Sequence, residues 1–160
     1  MRKYRNRTWI SASPESVFEA LDDPEIWGEI VPGILNPEVH EIDGDGYRLE
    51  YTYRLAGVRV KDILETIESE PGERHVFQLT GATTGRYAFD ISEQGVGTRV
   101  EFTATYRLSN AILERALRRF AVRRNERQFD SMLENLKERL ESQRRADADA
   151  SADDETRAVA

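Results

Sequence analysis

The amino-acid sequence predicts an α+β fold in which about seven antiparallel strands form a curved sheet around one long C-terminal helix. Three observations carry this prediction. The chain opens with an extended segment and two short helical segments, residues 36–108 then alternate with a period of two, and residues 110–143 form a helical segment without proline or glycine. Consecutive strands joined by short turns make an antiparallel meander. Only the last helix is long enough to cover the apolar face of such a sheet.

The first elements are predicted from their capping residues. A strand is expected at residues 4–12, and Ser13 then begins a helix, because serine is a favoured N-cap and Pro14 suits the first turn. Pro24 ends this helix, since proline disfavours helical backbone in the residue before it. A second short helix is expected at residues 25–30.

Period-two alternation then predicts the strands of the sheet. In residues 47–55 the tyrosines and leucines face one way while charged residues and a threonine face the other, which is typical of a half-solvated antiparallel strand. In the next strand the apolar pattern moves from Val60 to Ile63 and Ile67, and this predicts a bulge near Asp62. The remaining strands are expected around residues 39–42, 77–79, 87–91 and 100–108.

The long helix carries two apolar stripes on opposite sides. At about 100° per residue, the stripe in its first half points roughly 170° away from the stripe in its second half. One straight helix cannot bury both stripes against one surface, so the concave sheet is expected to hold the second. The first stripe is Ile112, Leu113, Ala116, Leu117 and Phe120, and the second is Phe129, Met132, Leu133, Leu136 and Leu140.

The composition excludes several kinds of site. The chain has no cysteine, which excludes disulfides, thiolate metal sites and cysteine nucleophiles. Lysine occurs only at Lys3, Lys61 and Lys137 among 23 basic residues, against 30 acidic ones. This halophile-like bias fits a protein kept soluble in concentrated salt, and a GC-rich genome is the alternative explanation.

The net charge of −7 is unevenly placed. Residues 146–160 hold five acids and one arginine, and so hydrophilic a segment cannot offset its ordering entropy. The sequence therefore predicts a domain at residues 1–145 and an acidic disordered tail at residues 146–160. No apolar run is long enough for a membrane span and no signal-peptide core is recognisable, so a cytoplasmic location is expected.

Several short motifs occur in a recognisable order over residues 4–143. They are Ile10-Ser11-Ala12-Ser13-Pro14-Glu15-Ser16-Val17-Phe18, Leu21-Asp22-Asp23-Pro24 with Trp27, Val31-Pro32-Gly33, Gly97-Thr98-Arg99-Val100 and Leu133-Glu134-Asn135-Leu136-Lys137. In this order they resemble the START-like superfamily, also called SRPBCC, and most closely its polyketide cyclase/dehydrase and lipid-transport group. The resemblance implies a helix-grip fold with a ligand cavity between sheet and helix. It selects no activity, because the superfamily includes carriers, cyclases, hydrolases and chaperone partners.

The candidate ligand-binding residues are mostly aromatic. Ordinary core packing is the alternative for the rings of the sheet, but buried tyrosine hydroxyls need partners, which a ligand with a few polar atoms could supply. The amide of Asn125 falls among apolar neighbours, where either a strand group or a ligand must satisfy it. The predicted set is Trp27, Tyr51, Tyr53, Phe77, Tyr87, Phe89, Phe102, Tyr106, Leu117, Phe120, Asn125, Phe129 and Met132.

Residues 112–120 could serve in three ways. With Trp27, Ile30, Val31 and Ile34 they could form a lid over the cavity mouth. They could also pack on the sheet edge, or form a dimer contact, so that monomer and homodimer both stay open.

A basic cluster lies on the same helix. Nucleic-acid binding is not expected, because the domain is net negative and no exposed aromatic platform is interleaved with the cluster. A solvated helix face paired with acids of the sheet is one interpretation, and contact with an anionic ligand headgroup or a membrane surface is the other. The cluster is Arg115, Arg118, Arg119, Arg123, Arg124 and Arg127.

The sequence predicts no metal and no cofactor. His40 and His75 lie far apart and neither has a second ligand at metal-binding spacing. Catalysis, if present, would be acid–base chemistry by a tyrosine, His75, Asp62 or Glu50 with a shifted pKa.

We therefore expect a carrier or sensor that binds a hydrophobic small molecule, such as a lipid, quinone or polyketide-like compound. The first alternative is a cyclase or dehydratase-type enzyme, a lyase or isomerase without metal, acting in the same cavity. The second is a protein-interaction module with a filled cavity. Titratable groups converging in the cavity would favour the enzyme, and a dry apolar cavity the carrier.

Overall fold

A computed structural model describes the backbone of residues 1–55 and 57–159, and side chains at these positions except 55, 112, 113, 116–122, 158 and 159. The elements follow the predicted order. They are β1 (Arg2–Ile10), α1 (Pro14–Asp22), α2 (Ile26–Ile30), β2 (Leu35–His40), β3 (Arg48–Leu55), β4 (Val58–Glu70), β5 (Arg74–Gly81), β6 (Thr83–Gln94), β7 (Gly97–Leu108) and α3 (Ala111–Val159). No described helix is long and apolar enough to cross a membrane.

The strands form one antiparallel sheet in the order β1-β7-β6-β5-β4-β3-β2. The first strand therefore pairs with the last, from Arg2 opposite Tyr106 to Ile10 opposite Thr98. The second apolar stripe of α3 is buried against this sheet, which confirms the predicted helix-grip arrangement. Its exposed fractions are 7% for Phe129, 2% for Met132 and Leu133, 0% for Leu136 and 7% for Leu140.

Polar contacts fix α3 relative to β1 and to α2. Near β1, the Tyr4 hydroxyl donates to the Asp130 carboxylate, and Asn6 Nδ2 donates to the same group at 2.9 Å. Near α2, Asn135 Nδ2 donates to the carbonyl oxygen of Ile30 at 3.0 Å. The helix thus reaches the first strand and the short helices together.

Tyr47, which directly precedes β3, links the two short helices. Ser13 caps α1 as predicted, its hydroxyl accepting from the Ser16 N–H at 3.2 Å. The indole N–H of Trp27 in α2 donates to the Tyr47 hydroxyl at 2.6 Å, and that hydroxyl donates to the carbonyl oxygen of Leu21 in α1 at 2.8 Å. This chain of hydrogen bonds holds Trp27 in place beside the concave face.

The predicted bulge in β4 is in the wrong place. The register shift lies between Thr66 and Glu68, so alternation continues through Asp62 and turns this carboxyl inward. The outward side chains Ile63 and Ile67 imitated a change of register. The actual shift begins at Thr66, which is hydrogen-bonded to the backbone of Tyr47. The Thr66 N–H donates to the Tyr47 carbonyl oxygen at 3.0 Å, and the Tyr47 N–H donates to the Thr66 hydroxyl at 3.2 Å. The second strand also differs, forming at Leu35–His40 rather than at residues 39–42.

The acidic segment continues α3 as a helix to Val159, where sequence composition predicted disorder. Its many alanines and the absence of proline and glycine allow a helix. Every described side chain from residue 142 onward is exposed, however, and helices without tertiary packing are marginal in water. Disorder of residues 146–160 in solution therefore stays a prediction.

His75 is a fully buried histidine in the core beneath the sheet. Its ring stacks between Phe77 and Phe18, with centroids 4.3 and 5.4 Å away, and its Nε2 lies 3.2 Å from the Thr66 hydroxyl. Nδ1 has no hydrogen-bond partner among the described residues. Burial lowers the pKa of His75 to about 4, so the ring is neutral in the folded protein.

We expect His75 to make the fold acid-sensitive. Because its pKa in the folded state is below the unfolded value of 6.5, the unfolded chain binds the proton first. The free energy of unfolding should then fall as the pH drops from 6.5 towards 4, by up to about 3 kcal/mol. In His75→Phe this part of the pH dependence should disappear in urea titrations. The exposed-site variant His40→Gln should follow the wild-type curve, and an unchanged slope in His75→Phe would contradict the assignment.

We also expect the acidic segment to add nothing to stability. A chain ending at Arg145 should unfold within about 0.5 kcal/mol of the full chain, because it loses no buried group. A chain ending at Arg139 also loses buried Leu140 and should be less stable by about 2 kcal/mol or more. Hydrogen exchange should find the amides of residues 146–157 unprotected, and slow exchange there would show a stable helix instead.

Candidate functional site

A cavity of about 60 Å³ lies between the concave face of the sheet and the middle of α3. This volume holds only a few water molecules and is below the roughly 300–1,000 Å³ of pockets for drug-sized ligands. A larger guest therefore requires lining side chains to move. The lining residues are Tyr51, Tyr53, Asp62, Thr83, Tyr87 and Tyr106 of the sheet, Asn125, Gln128, Phe129 and Met132 of α3, and Trp27, Val31 and Ile34 near α2.

Most of the predicted ligand-binding side chains border this cavity. Phe77, Phe89 and Phe102 do not. They are 0% exposed and contact one another in the core behind it. Phe77 and Phe89 meet edge to face with centroids 6.3 Å apart, and Phe89 and Phe102 are tilted with centroids 4.8 Å apart. These three rings are placed as core residues, and a role for them in ligand binding stays a prediction. Leu117 and Phe120 lie outside the described side chains.

Asp62 is the charged residue that the cavity adds to the predicted binding set. It is 2% exposed, and its Oδ1 accepts from the Thr83 N–H at 2.8 Å. The Tyr53 hydroxyl also donates to this carboxyl and lies 3.0 Å from the Thr83 hydroxyl. Three side chains from β3, β4 and β6 thus form one polar cluster in an otherwise aromatic wall.

Gly81 allows this cluster to form. It pairs with Asp62 across β4 and β5, at a positive φ of 125° that favours glycine. A Cβ atom there would lie 2.5 Å from the carbonyl oxygen of Lys61 and 2.9 Å from Asp62 Oδ1. Any larger residue would displace the carboxyl.

Burial raises the pKa of Asp62, and the hydrogen bonds from Thr83, Tyr53 and Ala82 offset only part of that effect. No ion pair to Asp62 occurs in the part of the chain that the structure describes. A buried carboxyl without a cation, with its pKa raised, can hold or transfer a proton.

The other tyrosines of the wall remain neutral. Burial raises the pKa of Tyr51 and of Tyr87 well above the ordinary value. Neither hydroxyl hydrogen-bonds to a described residue, so both can donate to an oxygen atom of a guest. Trp27 contributes only its ring, because its N–H is already bound to Tyr47.

Asn125 is half-buried at the cavity edge. Burial raises the pKa of the Tyr106 hydroxyl, and the neighbouring Asn125 amide opposes that rise. A strand partner is thus close to the amide, and its contact with a ligand stays a prediction.

The remaining acid–base candidates lie elsewhere. His75 is in the core, and Glu50 faces away from the cavity, 3.2 Å from the Lys61 ammonium. The ligand atoms of Glu38, His40 and Glu50 lie within 4.8 Å of one another, a closeness across β2 and β3 that spacing along the chain did not indicate. This group is exposed or half-exposed, and Lys61 already neutralises one of its carboxylates.

An outer cleft of about 480 Å³ adjoins the cavity. The two share Tyr53, Asn125 and Gln128 in their linings. Of its residues, only Tyr53 and Asn125 belong to the predicted binding set. The lining of the outer cleft is completed by Pro32, Gly33, Leu35, Arg54, Arg124, Arg127 and Ser131.

Sequence reasoning missed Thr83 and Gln128 and left Asp62 outside the binding set. Continued alternation from Val60 to Leu64 would have placed Asp62 inward. Thr83 follows a sharp turn after Gly81, and no sequence pattern fixed its orientation.

One family profile matches most of the chain. The sequence profile of the family described as polyketide cyclase / dehydrase and lipid transport matches residues 1–141. No curated protein matches the chain.

Solved structures share the fold over almost the whole domain. TTHA0849 from Thermus thermophilus is 25% identical with a TM-score of 0.74, covering 87% of this chain and 97% of its own. A START superfamily protein from Mycobacterium smegmatis is 15% identical with a TM-score of 0.68, covering 88% and 97%. The di-domain ARO/CYC StfQ of the steffimycin biosynthetic pathway is 12% identical with a TM-score of 0.67, covering 90% of this chain and 52% of its own.

We expect Asp62 to lower stability near neutral pH. Its pKa is raised in the folded state, so the unfolded chain loses the proton more readily and ionisation favours unfolding. Asp62→Asn keeps an oxygen for the Thr83 N–H and should unfold at higher urea at pH 7.5, with a gain of about 1 kcal/mol or more. The gain should shrink as the pH falls.

Glu93→Gln removes one exposed carboxylate and is the matched control, expected to change stability by less than about 0.5 kcal/mol at either pH. A destabilised Asp62→Asn at pH 7.5 would instead show that the carboxylate supports the fold.

Proposed function

Because the chain belongs to the polyketide cyclase/dehydrase and lipid-transport family, we propose that its cavity binds a hydrophobic small molecule carrying a few oxygen atoms. The observation that supports this most is the pair of neutral hydroxyls, Tyr51 and Tyr87, on the cavity wall without a described partner. A core that only stabilised the fold would satisfy these groups or replace them with phenylalanine.

The rest of the wall suits such a guest. Trp27, Phe129 and Met132 supply apolar surface, and each buried square ångström of apolar area contributes about 25 cal/mol. Aromatic rings pack well on planar ring systems, which favours a quinone or polyketide-like compound over a saturated lipid chain. Met132 can change rotamer to fit the guest.

Entry of the guest must enlarge the cavity. Val31 and Ile34 follow α2 and are only half-buried, so they are the described residues best placed to move. A lid or dimer contact at residues 112–120 remains a prediction, since most of these side chains lie outside the described set. The protein would act as a carrier or sensor.

One observation favours a second function, an acid–base enzyme of the cyclase or dehydratase type. Asp62 could remove a proton from a carbon next to a carbonyl group, while the Tyr51 or Tyr87 hydroxyl donates a hydrogen bond to the carbonyl oxygen as it gains charge. Asp62 would then give this proton to a hydroxyl on the next carbon, whose C–O bond breaks, so that water leaves and a carbon–carbon double bond forms. Retained binding with lost turnover in Asp62→Asn would identify this function.

The interaction-module hypothesis predicted a filled core. The described residues instead enclose a cavity with polar groups on its wall. This geometry gives the third hypothesis the least support.

Native mass spectrometry tests the binding function. The purified protein should carry, or take up from a panel of quinones, aromatic polyketides and lipids, one molecule per chain. Val31→Trp should fill the cavity mouth and weaken uptake about ten-fold or more, while Val39→Trp, a change at an exposed valine on β2, should leave uptake unchanged. Uptake that ignores Val31→Trp, or no uptake of any compound, would overturn the proposal.

A further inference from the structure

Three arginines line the outer cleft. Arg54 comes from β3, while Arg124 and Arg127 are three residues apart on α3, where side chains share one face of a helix. All three are exposed. Two separate elements therefore bring positive charge to the same concave surface.

None of these arginines has a carboxylate partner within the described part of the chain. Five other described arginines form ion pairs, for example Arg48 with Glu65 at 3.0 Å and Arg74 with Glu68 at 3.3 Å, whereas exposed arginines such as Arg59 and Arg86 form none. The chain has 30 acidic residues and a net charge of −7, so carboxylates are abundant. Arg124 and Arg127 are solvated on the helix face, as one interpretation expected, but neither pairs with an acid of the sheet among the described residues.

The cleft continues into the cavity. Tyr53, Asn125 and Gln128 line both spaces, and Pro32 and Leu35 add apolar surface to the outer one. A molecule with its apolar part in the cavity would therefore place its other end among the arginines.

We propose that Arg54, Arg124 and Arg127 bind the carboxylate or phosphate end of the cavity's ligand, so that the ligand is an amphipathic acid. This inference rests on the proposed function. Guanidinium groups form paired, charge-assisted hydrogen bonds with such anions, and an anion would relieve the repulsion among three unpaired cations. A concave site of this size fits one headgroup better than the broad surface of a membrane.

Calorimetric titration with naphthoate and its neutral isostere naphthamide tests this inference. Wild-type protein should bind naphthoate about ten-fold more tightly than naphthamide, and added salt should narrow the difference. In the double variant Arg124→Gln/Arg127→Gln the two affinities should agree within about two-fold, with naphthamide unaffected. Arg123→Gln removes an exposed neighbouring arginine that does not line the cleft, and it should keep the wild-type preference.

The outcomes separate the two proposals. Equal binding of both compounds by the wild-type protein would overturn the arginine site and leave the cavity function standing. A naphthoate preference that is lost in the double variant but insensitive to Val31→Trp would support the arginine site and overturn binding in the cavity. Binding of neither compound would overturn the arginine site.

Sedimentation with phosphatidylglycerol vesicles distinguishes the source of the anion. The wild-type protein and the double variant should sediment alike. Vesicle binding that depends on Arg124 and Arg127, without a naphthoate preference, would show that the cleft contacts a membrane and would overturn the inference.

Discussion

The burial of one helical stripe in the concave sheet is the constraint on which the structure depends. Leu133, Leu136 and Leu140 close the space between α3 and the sheet completely, being at most 7% exposed. One and two turns earlier, Phe129 and Asn125 meet tyrosines rather than close-packed aliphatic groups, and a gap remains. The same helix is therefore core at one end and cavity wall at the other. Weakening the stripe would loosen both.

Much of the fold could be predicted because it follows from local rules. Alternation identified the strands, and Ser13 and Pro24 marked the ends of α1. The change of stripe showed which half of the long helix packs against the sheet. Inward-facing positions could not be divided into core and cavity in the same way. Phe77 and Tyr87 are paired across β5 and β6 and both face inward. Only Tyr87 borders the cavity, because the position of the gap depends on where α3 leaves the sheet. The bulge in β4 also begins at a long-range contact, because Thr66 is hydrogen-bonded to Tyr47, nineteen residues earlier in the chain.

The cavity and the outer cleft share an electrostatic property. Asp62 is a buried carboxyl without a cation, while Arg124 and Arg127 are cations without a described carboxylate. The carboxyl lines the cavity and the arginines line the outer cleft, with Tyr53 in the wall of both spaces. In a protein selected only for stability, such groups could neutralise one another. Unmatched charges and perturbed pKa values are found more often at functional sites than elsewhere. A ligand that spans both spaces would meet a proton donor or acceptor at one end and positive charge at the other.

The fixed position of Trp27 gives the molecule an internal optical reporter. Its ring borders the cavity and is 3% exposed, while its N–H is held by Tyr47 at 2.6 Å. Trp9, the other tryptophan, lies on β1, is 38% exposed and does not border the cavity. The two indoles should therefore differ in emission wavelength and in quenching by iodide. The contents of the cavity can be followed through the blue-shifted component without attaching any dye.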